Sequence, residues 1–285
     1  MNVLPSARDI KRRIKSVKST QQITKAIKMV AAVKLRRVQS SLLDLRPYAD
    51  KLQSLLDHLG GELGHPFLQE REIKRACFVI IAGESGLCGG FNGNLLRFAE
   101  EQLAACPHPH ALYLLGAKAH DYFRRSEREI LNSHSSLSDN PSFSQGKELA
   151  QLLANSYLAG EFDQINLIYT EFKSTMSQKP GIKQLLPLAH QPGEAIEANL
   201  LVDYIFEPDA KSLLEAVLPQ YVEITAYRAL LESKASEHGA RMAAMTSATD
   251  NALEMIDNLT LSLNRARQAA ITNEIIEIVG GAAAL

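Results

Sequence analysis

The stretch ARDIKRRIKSVKSTQQITKAIKMVAAVKLRRVQSSLLDL, residues 7–45, decides the fold. From Ser6 to about Leu59 there is no glycine, and Pro47 alone interrupts a run rich in Lys, Arg, Ala, Leu, Ile and Gln, all compatible with continuous helix. At 1.5 Å per residue such a helix is about 80 Å long, far beyond a small globular core, so it must find a partner helix or a sleeve. Ile10, Ile14 and Val17 follow alternating spacings of four and three, and the same phase resumes at Ala31, Leu35, Val38, Leu42 and Leu45. In between, that phase falls on Gln21, Thr24 and Lys28.

The far end mirrors this pattern. From Pro208 to about Val279 the breakers are Pro219 and Gly239, and Glu207-Pro208-Asp209 reads as a helix start, with proline pre-set for the first turn and acids near the positive end of the dipole. Its seam is Met242, Met245, Thr249, Ala252, Ile256, Leu259, Leu263, Ala266 and Ala270. Neither helix can bury its stripe alone in water, so the two ends are expected to pair with each other. The segment between them alternates: strand at 75–82, helix at 94–105, strand at 111–115, helix at 117–125, a polar loop at 132–142, helix at 145–158 and strand at 165–172. That order implies a parallel sheet with helices on its faces. The stretch 174–199, with three prolines, reads as irregular, and 201–206 as an edge strand. The expected fold is therefore α/β: a long antiparallel coiled coil of the N- and C-terminal helices plus a Rossmann-like head domain. The expected boundaries are 1–59 for the first shaft helix, 73–206 for the head and 207–285 for the second shaft helix.

Composition excludes more than it identifies. Lys+Arg 31 against Asp+Glu 32 gives no whole-molecule reason to expect nucleic acid or an anionic membrane as partner. Cys77, Cys88 and Cys106 match neither a disulfide framework nor a zinc site, which favours a reducing compartment and implies no structural metal. The opening residues have no apolar core of signal-peptide length and no Arg- and Ser-rich leader, so a soluble cytoplasmic protein is expected.

The Gly83–Gly93 loop joins the first strand to a helix, where many folds bind phosphate. It lacks the G-x-G-x-x-G spacing, the acid after the second strand, and the Lys then Ser/Thr of a P-loop, so a Gly-rich turn that lets helix and strand pack closely is the better reading. Gly86-Leu87-Cys88-Gly89-Gly90 also fits a nucleophile elbow, but nothing around His120, His134 or His190 resembles the signature of a base, and Cys88 reads as a small buried thiol. His108 and His110 lack further ligands nearby. Residues 1–40 carry Arg8, Lys11, Arg12, Arg13, Lys15, Lys18, Lys25, Lys28, Lys34, Arg36 and Arg37 against Asp9 alone. These charges are spread round most of the helix, which disfavours a groove binder of nucleic acid and suits a helix enclosed by acidic protein loops.

Three ordered blocks carry a resemblance over essentially the whole chain. They are 9–32 (Asp9-Ile10-Lys11-Arg12-Arg13-Ile14 through Met29-Val30-Ala31-Ala32), 86–92 (Gly86-Leu87-Cys88-Gly89-Gly90-Phe91-Asn92), and the C-terminal runs 236–252 and 264–284. Together they resemble the gamma subunits of bacterial F-type ATP synthases. The resemblance implies a rotor shaft inside a hexamer of alpha and beta subunits, with the head on the membrane c-ring beside the epsilon subunit. It implies no catalytic residue, cofactor or metal, and a place on the cytoplasmic face of the cell membrane held through partners. It also implies that Arg267 and Gln268 bond an acidic loop of a beta subunit, that Asp203, Tyr204 and Glu207 lie where the ring and epsilon are met, and that Lys25, Lys28 and Arg241 surround the neck of the shaft. The family commonly has Asp-Arg where this chain has Glu84-Ser85, and Met where it has Ile27.

Overall fold

The computed structural model describes residues 7–59, 65–69, 71–132, 136–175, 177–188 and 209–283. In chain order the elements are α1 (Ala7–Leu59), β1 (Ala76–Ile81), α2 (Phe91–Ala105), β2 (His110–Leu115), α3 (Ala117–Phe123), β3 (Glu129–Ile130), α4 (Phe143–Leu158), β4 (Gln164–Phe172), β5 (Gln178–Leu186) and α5 (Ala210–Ala283). Pro47 and Pro219 sit inside α1 and α5 without ending them. Asp209 caps α5, its carboxylate accepting from the Ser212 amide at 2.8 Å and from the Ser212 hydroxyl at 2.8 Å. Glu207 and Pro208, the rest of the expected helix start, lie outside the described residues. The chain divides into two compact units, one formed by 1–30 with 242–285 and the other by 31–241.

The first unit is a two-helix coil. On α1 the buried or half-buried positions are Ile10, Ile14, Val17, Gln21, Thr24 and Lys28, while the other long side chains between them, apart from Ile27, are exposed. On α5 they include Met242, Met245, Thr249, Ala252, Ile256, Leu259, Leu263 and Ala266. The expected seam thus holds at every position except Ala270, which is exposed. The polar break in the stripe is a bonded layer: Thr24 Oγ1 lies 2.8 Å from Thr249 Oγ1, and Thr249 Oγ1 donates to the Met245 carbonyl at 2.7 Å. A hydroxyl has one proton to give. Each threonine also has a carbonyl of its own helix as acceptor, Met245 for Thr249 and Gln21 at 3.0 Å for Thr24, so each proton has an acceptor and both buried oxygens have partners. From Arg267 to Gly280 every residue of α5 is exposed, a length of roughly 20 Å with no facing helix among the described residues.

The second unit is built on a five-stranded sheet of order β3-β2-β1-β4-β5. The first four strands are parallel and β5 is antiparallel to β4. Period-two alternation divides β1 cleanly: Cys77, Val79 and Ile81 face one core with α1, α4 and α5, whereas Ala76, Phe78 and Ile80 face the other with α2 and α3. On the first face the heptad phase of α1 continues through Leu35, Val38, Leu42, Ala49, Leu52 and Leu56, all buried. Tyr48 there donates to Gln220 of α5 at 2.8 Å; positions rise along α1 as they fall along α5, so the helices run antiparallel.

Two strands differ from the sequence reading. The stretch taken as irregular contains β5, a nine-residue edge strand. Pro180 sits within it opposite Thr170, and a proline that cannot donate is tolerated at a sheet edge. The two-residue β3 is too short to leave a periodic signal. The edge strand expected at 201–206 lies outside the described residues.

Candidate functional site

In a doubly wound sheet the ligand crevice opens beyond the carboxyl ends of the strands where the order reverses, here between β1 and β4. The loop after β1 reaches it. Gly83 donates its amide to Asn92 Oδ1 at 2.9 Å, Gly89 takes φ +57°, and Leu87 takes φ +59° with its side chain 66% exposed. Gly116, opening α3 at φ +89°, lies so close that a Cβ there would stand 2.3 Å from the Ala82 carbonyl oxygen. The glycines of this region therefore serve close approach of backbone to backbone.

The crevice is filled by the chain itself. Ser233 of α5 donates to the carbonyl of Ile81, the last residue of β1, at 2.9 Å, and Ser236 donates to the carbonyl of Thr170 on β4 at 3.0 Å. A Cβ on Gly83 would meet the Glu237 carboxyl carbon at 3.1 Å, so no space separates loop from helix where a phosphate would sit. Around these contacts α5 is buried on every side from Ala229 to Gly239, charged residues included.

Lys234, 0% exposed, donates to Glu237 Oε2 at 2.9 Å, and Arg241 donates to Glu237 Oε1 at 2.6 Å. Arg241 also reaches Ser85 Oγ at 3.0 Å and the Gly86 carbonyl at 3.3 Å. Burial alone pushes the Glu237 carboxyl up, but the Lys234 ammonium and the hydrogen bonds from Arg241 and Lys234 outweigh it and hold the group below the usual carboxylate range. His238 is likewise enclosed. Its Nε2 lies 3.1 Å from the Asp139 carbonyl, which can only accept, so Nε2 carries the proton and Nδ1 faces Arg241 Nη1 at 3.4 Å. Burial lowers its pKa, keeping the ring neutral. Asp139 is paired with Lys34 of α1, whose hydrogen bond holds its carboxyl low. Glu84 accepts from the amides of Ala117 at 3.2 Å and of Leu137. Glu84 and Ser85, which stand where the family commonly has Asp-Arg, are thus engaged inside this unit.

Cys88 is not arranged as a nucleophile. It is 2% exposed, its contacts are the Ser85 carbonyl at 3.7 Å and Asn92 Nδ2 at 3.3 Å, and burial raises its pKa, which keeps it a thiol. His134 and His190 lie outside the described residues. His110 turns its Nδ1 to the His108 carbonyl at 3.1 Å, and among the described residues no cluster of three metal-ligating side chains forms.

The residues implied by resemblance fall in different places. Lys25 is exposed and Lys28 half-buried on α1, near Thr24. Arg267 and Gln268 are exposed on α5 about five turns beyond Thr249, so the coil does not bring these two pairs together. Arg241 belongs to the ion cluster. Asp203, Tyr204 and Glu207 lie outside the described residues. The sequence reading assigned no role to Lys234, Glu237 or His238. Their one visible signal was a run of charged residues inside a helix otherwise rich in Ala, Leu and Ser.

These features define a class: a doubly wound α/β unit whose crevice is closed by its own terminal helix, with that helix continuing into an antiparallel two-helix coil. A family model described as ATP synthase matches residues 6–285. The ATP synthase gamma chain of Desulforamulus reducens is 52% identical over 285 residues, spanning 99% of this chain and 100% of that protein. That of Moorella thermoacetica is 52% identical over 281 residues, spanning 98% of each. Among solved structures, a chain of the central stalk and c-ring of Tetrahymena thermophila mitochondrial ATP synthase is similar with TM-score 0.62 and 26% identity, covering 79% of this chain and 99% of that one. A chain of the Euglena gracilis mitochondrial enzyme shares the fold with TM-score 0.69 at 21% identity, covering 98% of this chain and 94% of that one. The chain belongs to the ATP synthase gamma chain family.

Proposed function

We propose that this chain is the central rotor stalk of an F-type ATP synthase, a non-catalytic subunit that carries rotation between a proton-driven membrane ring and a catalytic alpha/beta hexamer. The observation that carries the reading is the bare end of α5, where Ile271, Ile275, Ile276, Ile278 and Val279 are exposed along a helix that has no partner there among the described residues. A helix of this kind is not at rest in water, and a protein sleeve is the environment that suits it. No helix among the described residues is long and apolar enough to cross a membrane, so in this reading contact with the membrane runs through the ring and the epsilon subunit, on the cytoplasmic face of the cell membrane.

The mechanism follows from asymmetry. A two-helix shaft has no threefold symmetry, so three catalytic subunits around it meet three different faces, and its angle biases the conformation and nucleotide affinity of each. The shaft helices are assigned to 1–59 and 207–285 and the head to 73–206. Arg267 and Gln268, exposed near the start of the bare segment, are assigned to an acidic loop of a beta subunit. Lys25, Lys28 and Arg241 are assigned to the neck, and Asp203, Tyr204 and Glu207 to the ring and epsilon.

Co-expression with alpha and beta subunits tests the reading. The chain is expected to co-purify at one copy per hexamer; a hexamer that forms without it, or takes several copies, overturns the proposal. A nucleotide-binding role for the Gly83–Gly93 loop is tested by titrating the free chain with ATP, for which no saturable binding is expected.

A further inference from the structure

A shaft that transmits torque needs its helices fixed in azimuth as well as held in contact. Apolar packing resists separation, yet it is non-directional and is satisfied by many rotational settings of a helix. Directional bonds are not. In the 31–241 unit α5 makes them to four different segments. Ser233 bonds the end of β1, Ser236 bonds β4, Arg241 bonds Ser85 and Gly86 of the loop after β1, and His238 bonds the carbonyl of Asp139 in the loop before α4. Glu237 joins Lys234 and Arg241 into one buried group behind them. At 100° per residue the four bonding positions span about 200° of the helix circumference. Within the same arc, nearly two turns earlier, Gly146 of α4 admits α5 so closely that a Cβ there would stand 2.5 Å from Tyr227 Cβ. A turn of α5 about its own axis would break the bonds from Ser233, Ser236, His238 and Arg241 to the surrounding segments together, while the Lys234–Glu237–Arg241 group, all of it on α5, would turn with the helix.

We propose that residues 227–241 of α5 form a rotational anchor, in which Ser233, Ser236, His238 and Arg241 key the helix to the α/β unit, with Glu237 holding Arg241 in place, so that torque passes between them without slip. The closed crevice of the doubly wound sheet is the keyway. These are positioning residues, and the inference rests on the central-stalk reading.

The test uses the assembled alpha–beta–gamma complex, fixed through the hexamer and carrying a bead on an exposed cysteine introduced into α4. The angular spread of the bead within each ATP-waiting dwell reports torsional stiffness. In the chain bearing S233A, S236A, K234M and E237Q the angular variance is expected to rise by about two-fold or more, because the bonds to β1 and β4 are removed and Arg241 loses the carboxylate that holds it against the loop after β1. Unloaded ATP hydrolysis is expected to stay within about two-fold of the parent, since no substituted residue meets nucleotide. A variance equal to the parent's overturns the anchor. Should the fourfold variant not assemble, S233A with S236A alone, which removes two hydroxyl bonds and leaves the ion group intact, is expected to raise the variance by about a third; no rise overturns the proposal equally. A parent complex that does not rotate under ATP would instead defeat the central-stalk reading, and the anchor with it.

Discussion

Gly146 shows how narrow the tolerance is at single positions. Alanine there would drive a methyl into Tyr227 of α5, at Cβ and Cα distances of 2.5 and 2.7 Å, and neither atom belongs to a flexible side-chain end. Gly146→Ala is expected to cost about 1–3 kcal/mol of stability, read as a lowered denaturant midpoint of the full chain, whereas Gly93→Ala, with nothing within reach of its Cβ, serves as the control. His238 adds a pH dependence whose sign is fixed by its surroundings. Lys234, Glu237 and Arg241 approach from its own helix, Asp139 from the loop before α4, and Lys34 of α1 pairs with Asp139. Burial holds its pKa below the ordinary 6.5, so the unfolded ring takes up a proton first, and stability falls as pH drops below about 6.5 until the folded ring also protonates. Glu237 acts lower on the scale. Its stabilisation is complete above about 4.5 and is lost as pH falls through its depressed folded value. His238→Gln should remove the first limb of an acid titration of melting temperature and keep the second; an unchanged first limb would show that another group drives it.

Among the elements, the two long helices were the most legible in the sequence. Each heptad position from Ile10 to Leu45 lies in the seam, because a 3.5-residue repeat can be satisfied in one way only, by a partner along its whole length. The polar interruption at Gln21, Thr24 and Lys28 was visible but its purpose was not, since the partner hydroxyl of Thr249 lies 225 residues away. β5 was missed for a related reason: Pro180 and Gly181 weaken a strand signal, and the edge position that excuses them is a tertiary fact. The buried charges of α5 were illegible because burial on all sides is a tertiary fact, set by strands, loops and helices remote in the chain. A buried polar pair in a coil specifies register at some cost in stability. Thr24→Val with Thr249→Val should therefore change stability by about 1 kcal/mol or less while broadening the cysteine pairs that cross-link between the helices. A single cross-linking register in the double variant would assign register to the apolar seam alone. For the bare end of α5, Arg267→Ala with Gln268→Ala should weaken coupled turnover of the assembled enzyme several-fold and leave the melting temperature of the free chain unchanged, because neither side chain is buried there.

Taken whole, the molecule brings together what its chain order keeps apart. Thr24 is made early and meets Thr249 only after 225 more residues have been added. At ribosomal speeds of roughly 5–20 residues per second that is a wait of about 10–45 s, during which α1 has its apolar stripe and no mate. The sheet-bearing middle is translated in the interval and can condense first around β1 and β4, leaving the crevice open until α5 arrives to close it. From the end of β5 at Leu186 to Ser233 only 47 more residues are added, about 2–9 s at the same speeds, so the nascent polypeptide passes through a short interval in which its strands are complete and the helix that closes their crevice is still to come.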